Sequence, residues 1–354
     1  FLSVIILAIG LLIFFYNNKI KLFSFLKLKN IQYVVIILLL IPIYLSQKYH
    51  EDFGYYHLPY AIGFIEEKII FGFANIDQSY VYNSIWLNLY SIFFLIEKNF
   101  DFLTLPSFLI YLCFILFSYH QIISKNEKTI SDYFLLTAVF YFILKFTRIS
   151  EFGVDLPATI FSVLSIYYFI KFSEIDLKKE RKEYFFLTLI FSVFAILIKL
   201  SAIPVILLSV FLYLKYFKDF KFEILKLKFL FIYFLFITFF IQQFIFTGCI
   251  FFPSNSTCLN VSWFNEENIN LSKQLELINK SYSSAGENVI TPKEYLKNFN
   301  WFSYWLKRNY IEILEHLLTI TIPVILFLLF QKKKTNDKLV LNNKLGLYFF
   351  LILG

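Results

Sequence analysis

Apolar runs alternate with short polar, lysine-rich breaks along almost the whole chain. The runs lie at roughly 1–16, 31–47, 103–123, 133–147, 156–172, 184–200, 203–217, 228–246, 311–330 and 345 onward, each near the length that crosses a bilayer as a helix. Lysine and arginine gather in alternate connections. Segments 17–30, 124–132, 173–183, 215–228 and 331–344 hold 20 of the chain's 33 Lys and Arg. The other set (48–102, 148–155, the turn near 200–203, and 247–310), taken with its flanks and so with Lys199, holds 11, over more than twice the length. Positive charge marks the cytoplasmic side of short loops, so the lysine-rich set reads as cytoplasmic and the long set as external. Keeping this alternation requires that 83–96 (NSIWLNLYSIFFLI) not cross the membrane, and it is expected to be a re-entrant or surface-lying helix in the first external loop. In the second external loop, Thr291-Pro292-Lys293-Glu294 has the form of a capping box with proline at the first helical position. It predicts a helix carrying Tyr295, Phe299, Phe302 and Trp305 at spacings of three and four, accompanied by Lys297, Lys307 and Arg308, lying in the interface.

The expectation is therefore an all-α polytopic integral membrane protein of about ten transmembrane helices, with two long external loops (48–102 and 247–310) that carry interfacial helices. Composition agrees: 59% of residues are hydrophobic and the mean hydropathy is +0.67. The net charge of +8 is spread through the connections that set topology, so it does not point to nucleic acid. Arginine occurs three times against abundant Ile, Phe, Lys and Asn, which suggests an AT-rich genome and devalues the 49 Phe as a functional signal. The chain opens on Phe1 within an apolar run, contains no Met, and ends at Gly354 within another run; it reads as a fragment, truncated at both ends, of one integral domain spanning 1–354. Cys113 lies inside a span, whereas Cys249 and Cys258 share the second external loop, where a disulfide is compatible with an oxidising side.

Ionisable groups beside hydrocarbon are costly and usually functional, which singles out 48–60, KYHEDFGYYHLPY. Asp52 suits a general base for a hydroxyl, and Glu51 beside it would raise the pKa of one of the pair if both face one site. His57 could orient a substrate group; a carboxylate and a histidine are too few to define a metal centre. The bland alternative for Asp52 is the N-cap of a helix through 55–68. A second group, Arg148, Glu151 and Asp155, lies in TRISEFGVDLPA. The guanidinium of Arg148 suits a phosphate, or else forms an internal pair with Glu151 or Asp155. Lys199, at the top of a span, is a second phosphate ligand or a snorkelling side chain.

Asp52-Phe-Gly-Tyr-Tyr-His57-Leu-Pro, Gly72-Phe-Ala-Asn75, Asn83-Ser-Ile-Trp86, Glu151-Phe-Gly-Val-Asp155-Leu-Pro-Ala and Thr247-Gly248-Cys249-Ile-Phe-Phe-Pro253-Ser together resemble bacterial multispan proteins similar to the GT-C glycosyltransferases. These are the lipid-phosphate-sugar-dependent class that includes protein mannosyltransferases and lipid A aminoarabinose transferases. Cys249 departs from the pattern, standing where an aromatic is expected. The resemblance implies an acidic base or metal ligand on the first external loop, a role that falls on Asp52, and a second acidic residue at Asp155 or Glu151. The expected function is transfer of a sugar, with inversion, from an isoprenyl-phosphate carrier to a hydroxyl of a glycan, lipid or protein acceptor, at the periplasmic or extracellular face of a bacterial inner membrane. Membrane lipids are its other partners and nucleic acid is not one. A divalent cation (Mg²⁺ or Mn²⁺) is compatible with this reading and not demanded by it. Rival readings are an O-antigen-type polymerase or ligase, with essential cations such as Lys307 and Arg308 in the large loop, and a lipid or solute transporter, which calls for ionisable groups at mid-bilayer and broken helices.

Overall fold

A computed structural model of the chain describes residues 31–45, 52–66, 69–96, 103–123, 129–144, 152–175, 177–281 and 291–330. The expected first and last apolar runs, 1–16 and 345 onward, lie outside them. Among the described residues the structure is helical, with an isolated bridge between Cys249 and Cys258 and no β-strand. The helices are α1 (Ile31–Leu45), α2 (Leu58–Glu66), α3 (Ile85–Ile96), α4 (Leu105–Ile123), α5 (Ile130–Leu144), α6 (Asp155–Glu174) and α7 (Lys178–Ile198). They continue with α8 (Ile206–Lys215), α9 (Phe217–Phe220), α10 (Leu227–Thr247), α11 (Glu266–Ser281), α12 (Pro292–Leu296) and α13 (Trp301–Phe330).

Each apolar run thus forms a helix where it is described, but about ten spans are not supported. Among the described residues three helices, α4, α6 and α10, are long and apolar enough to cross a membrane, or four if the pair 200–215 and 217–225, bent by 95°, counts as one. The reason is length and charge. The described residues of α1 and α5 number 15 each, about 22 Å at 1.5 Å per residue against a hydrocarbon core of about 30 Å, and both helices border residues outside the described set. Helix α7 has 21 residues but opens on Lys-Lys-Glu-Arg-Lys-Glu. The segment expected to be re-entrant holds the 12-residue α3.

Neighbouring helices run antiparallel. Tyr33 of α1 meets His120 near the end of α4 at 2.9 Å, while Tyr44 stacks on Phe108 near its start, with ring centres 4.8 Å apart. Helices α6 and α7 form the most extensive pair, joined by the link 175–177. Their seam is small and hydroxylic: Ser165 Oγ lies 2.7 Å from Ser192 Oγ and donates to the Thr188 carbonyl at 3.0 Å. Small residues let helix backbones approach where hydrocarbon provides no hydrophobic drive, and hydroxyls bonding back to the backbone leave no polar atom unsatisfied.

The result is a bundle with two unlike ends. One carries 129–132, 171–182 and 215–228 and is rich in lysine. There Lys171, 8% exposed, pairs with Glu174 at 3.3 Å, and Glu174 accepts from both the backbone and hydroxyl of Ser131. Glu223 is held by Lys182 at 2.6 Å and Lys226 at 2.8 Å. The other end gathers 52–57, 72–84, 152–155, 199–205 and 248–268. Cys249 and Cys258 are disulfide-bonded there. Two left-handed glycines close its turns. Gly72 (φ 71°) brings its backbone against Trp263, and Gly248 (φ 77°) ends α10 with its α-carbon against Phe264. The interfacial helix expected from the capping box is corrected. Thr291 does cap, accepting from the Glu294 amide, but α12 is five residues long. The backbone turns left-handed at Asn298 (φ 53°) and Phe299 (φ 59°), and Phe302 and Trp305 belong instead to the first turns of α13. Tyr295 is buried rather than facing an interface.

Two outcomes follow from this packing. Gly248→Ala costs about 1–2 kcal/mol for the left-handed backbone alone, and its new Cβ would sit 2.8 Å from Phe264 Cβ; thermal unfolding in detergent should show a lower midpoint. For Glu223, burial pushes the pKa up, but the two lysines outweigh it and hold the carboxyl below its ordinary 4.5. Its contribution is therefore complete above that value and disappears as pH falls through the lower folded one. The stability gap between wild type and Glu223→Gln should be full at neutral pH and close in acid.

Candidate functional site

The first loop begins with a widened helical turn, Phe53–His57, in which the Leu58 amide reaches back to the Phe53 carbonyl. Pro59 explains it: proline has no N–H to give the carbonyl four residues earlier, that of Tyr55, and its ring crowds that carbonyl. Wide π-type turns of this kind are frequent at functional sites. Asp52 stands at the head of this turn but makes no cap bond to its backbone. Its carboxylate instead accepts from the phenol of Tyr56, one turn on along the same face.

Tyr56 is the meeting point. Burial, then the carboxylates of Asp52 and Asp155, then Tyr82, push its phenol above the ordinary range, so it stays protonated and acts as a donor. Asp155, the first residue of α6, is ion-paired with Lys199, the residue that follows α7. Both side chains are about half exposed, 55% and 43%. Four polar side chains from three separate segments thus face one half-open region: Asp52 and Tyr56, Asp155, and Lys199.

The placement of Asp155 depends on the link 152–154. Phe152 is fully buried, stacked on Tyr90 of α3 at 4.0 Å and edge-on to Phe53 at 4.9 Å. The Tyr90 hydroxyl donates to the Gly153 carbonyl at 2.8 Å, accepts from the Gly153 amide at 3.3 Å, and lies 2.7 Å from Ser107 Oγ. Below the site, an amide network fastens the loop to α10. The buried hydroxyl of Tyr60 lies 3.3 Å from the amides of Asn83, Asn88 and Gln242, and Asn88 donates to Gln242 at 3.0 Å. Asn83 donates to the Phe239 carbonyl at 3.0 Å.

Of the residues the sequence singles out, the structure brings Asp52, Asp155 and Lys199 to one place. His57 is close but turned inward: it is 3% exposed, its ring centre 4.2 Å from Tyr56 and 5.6 Å from Phe152. Glu51, Arg148 and Glu151 lie outside the described residues. Sequence reasoning missed Tyr56 and Tyr90. The signal for Tyr56 was its spacing of four from Asp52; Tyr90 had none, because its partner is 63 residues away. For a divalent cation the donor set is short. Among the described residues no group of three His, Cys, Asp or Glu could hold one, and the ammonium of Lys199 already occupies Asp155.

A family model described as a domain of unknown function (DUF8201) matches residues 1–354. No curated protein and no solved structure matches the chain.

Tyr90→Phe should leave the part-buried amide and carbonyl of Gly153 without their partner and cost about 1 kcal/mol. Thermal unfolding checks the loss, and limited proteolysis at 152–154 checks its location: cleavage should become faster there and not in 199–205.

Proposed function

The chain belongs to the DUF8201 family, and for it we propose a membrane glycosyltransferase that moves a sugar from an isoprenyl-phosphate carrier to an acceptor hydroxyl. The observation that carries the reading is the convergence of Asp52, Tyr56, Asp155 and Lys199 at the head of apolar helices, where the phosphate of a lipid carrier would lie. The disulfide between Cys249 and Cys258 at the same end supports an oxidising, extracytoplasmic face.

In the proposed reaction the acceptor hydroxyl gives its proton to the carboxylate of Asp52 as its oxygen attacks the anomeric carbon. The bond from that carbon to the phosphate oxygen breaks, and its electron pair leaves with the isoprenyl phosphate. Attack opposite the leaving group inverts the configuration. Tyr56 donates to Asp52 and so fixes the carboxylate for the incoming hydroxyl. Lys199 is held beside the site by Asp155 and is available to the phosphate as negative charge develops on it. The half-exposed pair is weak enough, at well under about 1 kcal/mol, for a phosphate to displace Asp155 as partner. No step requires a metal ion.

The test is release of isoprenyl phosphate from isoprenyl-phosphate hexoses by the chain reconstituted in vesicles, with an alcohol acceptor present. Asp52→Asn should lower the rate by about 10²–10⁴ without changing the unfolding temperature. Lys199→Gln should lower it by about 10–100, with partial recovery in Lys199→Arg. Unchanged release by the Asp52 variant would refute the assignment.

A further inference from the structure

At the lysine-rich end the chain leaves α8 and turns through 95° before entering α10. Three inward anchors set the course of this elbow. Phe220, 2% exposed, stacks face to face on Phe185 with centres 4.5 Å apart. Tyr216 lies under the Arg181 guanidinium at 5.6 Å. Glu223 is clamped by Lys182 and Lys226. Between the anchors, large apolar side chains point outward: Phe222 is 70% exposed, Leu225 69% and Leu227 81%. Lys215, Lys218 and Lys221, all exposed, recur every third residue among them. Both carboxylates of the elbow already face cations, Asp219 through Lys178 at 3.4 Å and Glu223 as above. The outward surface is therefore apolar and cationic together.

We propose that this elbow is a docking element for anionic phospholipid, seated in the leaflet at the lysine-rich end, with Phe222, Leu225 and Leu227 below the headgroups and Lys215, Lys218 and Lys221 at phosphate level. Two features favour lipid over an acidic protein. The exposed apolar side chains continue without a break onto the outward side of α10, where Phe234 is 61% and Ile237 57% exposed, so the elbow is the end of a lipid-facing stripe. The ammonium groups of two of the lysines also lie over aromatic rings, Lys215 over Phe211 at 5.6 Å and Lys221 over Phe222 at 4.8 Å, so cation and ring share one level of the surface, as amphipathic side chains do at a headgroup interface. Each such lysine contributes about a factor of five to attraction by an anionic surface.

The test titrates the full chain in neutral detergent with dioleoyl-phosphatidylglycerol or dioleoyl-phosphatidylcholine and reads binding by native mass spectrometry. Wild type should retain phosphatidylglycerol selectively. The variant K215Q/K218Q/K221Q should bind it roughly a hundredfold more weakly, with phosphatidylcholine unchanged. K293Q/K297Q, at the other end, should behave as wild type. Equal retention of the two lipids by wild type, or full phosphatidylglycerol affinity in the triple variant, would overturn the proposal. A spin label at F222C in a C113S background supplies a second reading in anionic vesicles. Greater collision with oxygen than with a water-soluble nickel complex is expected, and the reverse order would equally overturn it.

Discussion

A link of three residues, 152–154, leads into α6 and packs against the first loop, and its backbone is partly withdrawn from water. Tyr90 satisfies it with one hydroxyl, which serves both polar groups of Gly153 while its ring covers Phe152. Where polar backbone has little solvent to turn to, such a group decides the path of the chain. Because the link is pinned to α3, α6 begins where Asp155 faces Tyr56. Because α6 and α7 are locked by their serine seam, Lys199 emerges beside Asp155. The wide turn forced by Pro59 supplies the remaining partner, aligning Asp52 with Tyr56 rather than with a helix cap.

The ion pairs divide by burial. Lys171 and Glu174 are both enclosed, and the carboxylate of Glu223 is buried although its lysine partners reach solvent; each of these acidic side chains also anchors a connection. Losing one member there leaves an uncompensated charge, so these pairs specify structure. Asp155 with Lys199 is about half exposed and adds little to stability. In the proposed reaction, this pair, which contributes little to folding yet sits where three segments converge, serves as a held reagent rather than as a strut. The tyrosine–amide network beneath it is different again: Tyr60, Asn83, Asn88 and Gln242 satisfy one another and fix the loop to α10. The two adjacent glutamines of that helix hold backbone and amides in place, Gln243 donating to the Val81 carbonyl at 3.1 Å.

Hydrophobic periodicity located the apolar helices α1, α4 to α8 and α10, since it follows from local chain chemistry. The Thr291 cap was equally legible, as was the short apolar helix at 85–96. The number of spans was not: only α4, α6 and α10, and the bent pair 200–215 and 217–225, are long and apolar enough among the described residues, and α7 opens on a charged turn. Nor was the break at Asn298, where the spacing of Tyr295, Phe299, Phe302 and Trp305 suggested one continuous helix and the burial of Tyr295 took precedence.

By itself the sequence determined a helical chain with helices apolar enough to cross a membrane, an acidic and aromatic cluster at 48–60, and lysines gathered in alternate connections. Period, charge and capping act over a few residues and can be read in order. Only the tertiary structure decided that Asp52, Tyr56, Asp155 and Lys199 meet, that His57 turns inward, and that Tyr90 holds the link between them. Those contacts span tens of residues of sequence, and they exist only after the helices have packed and each buried polar group has found its partner.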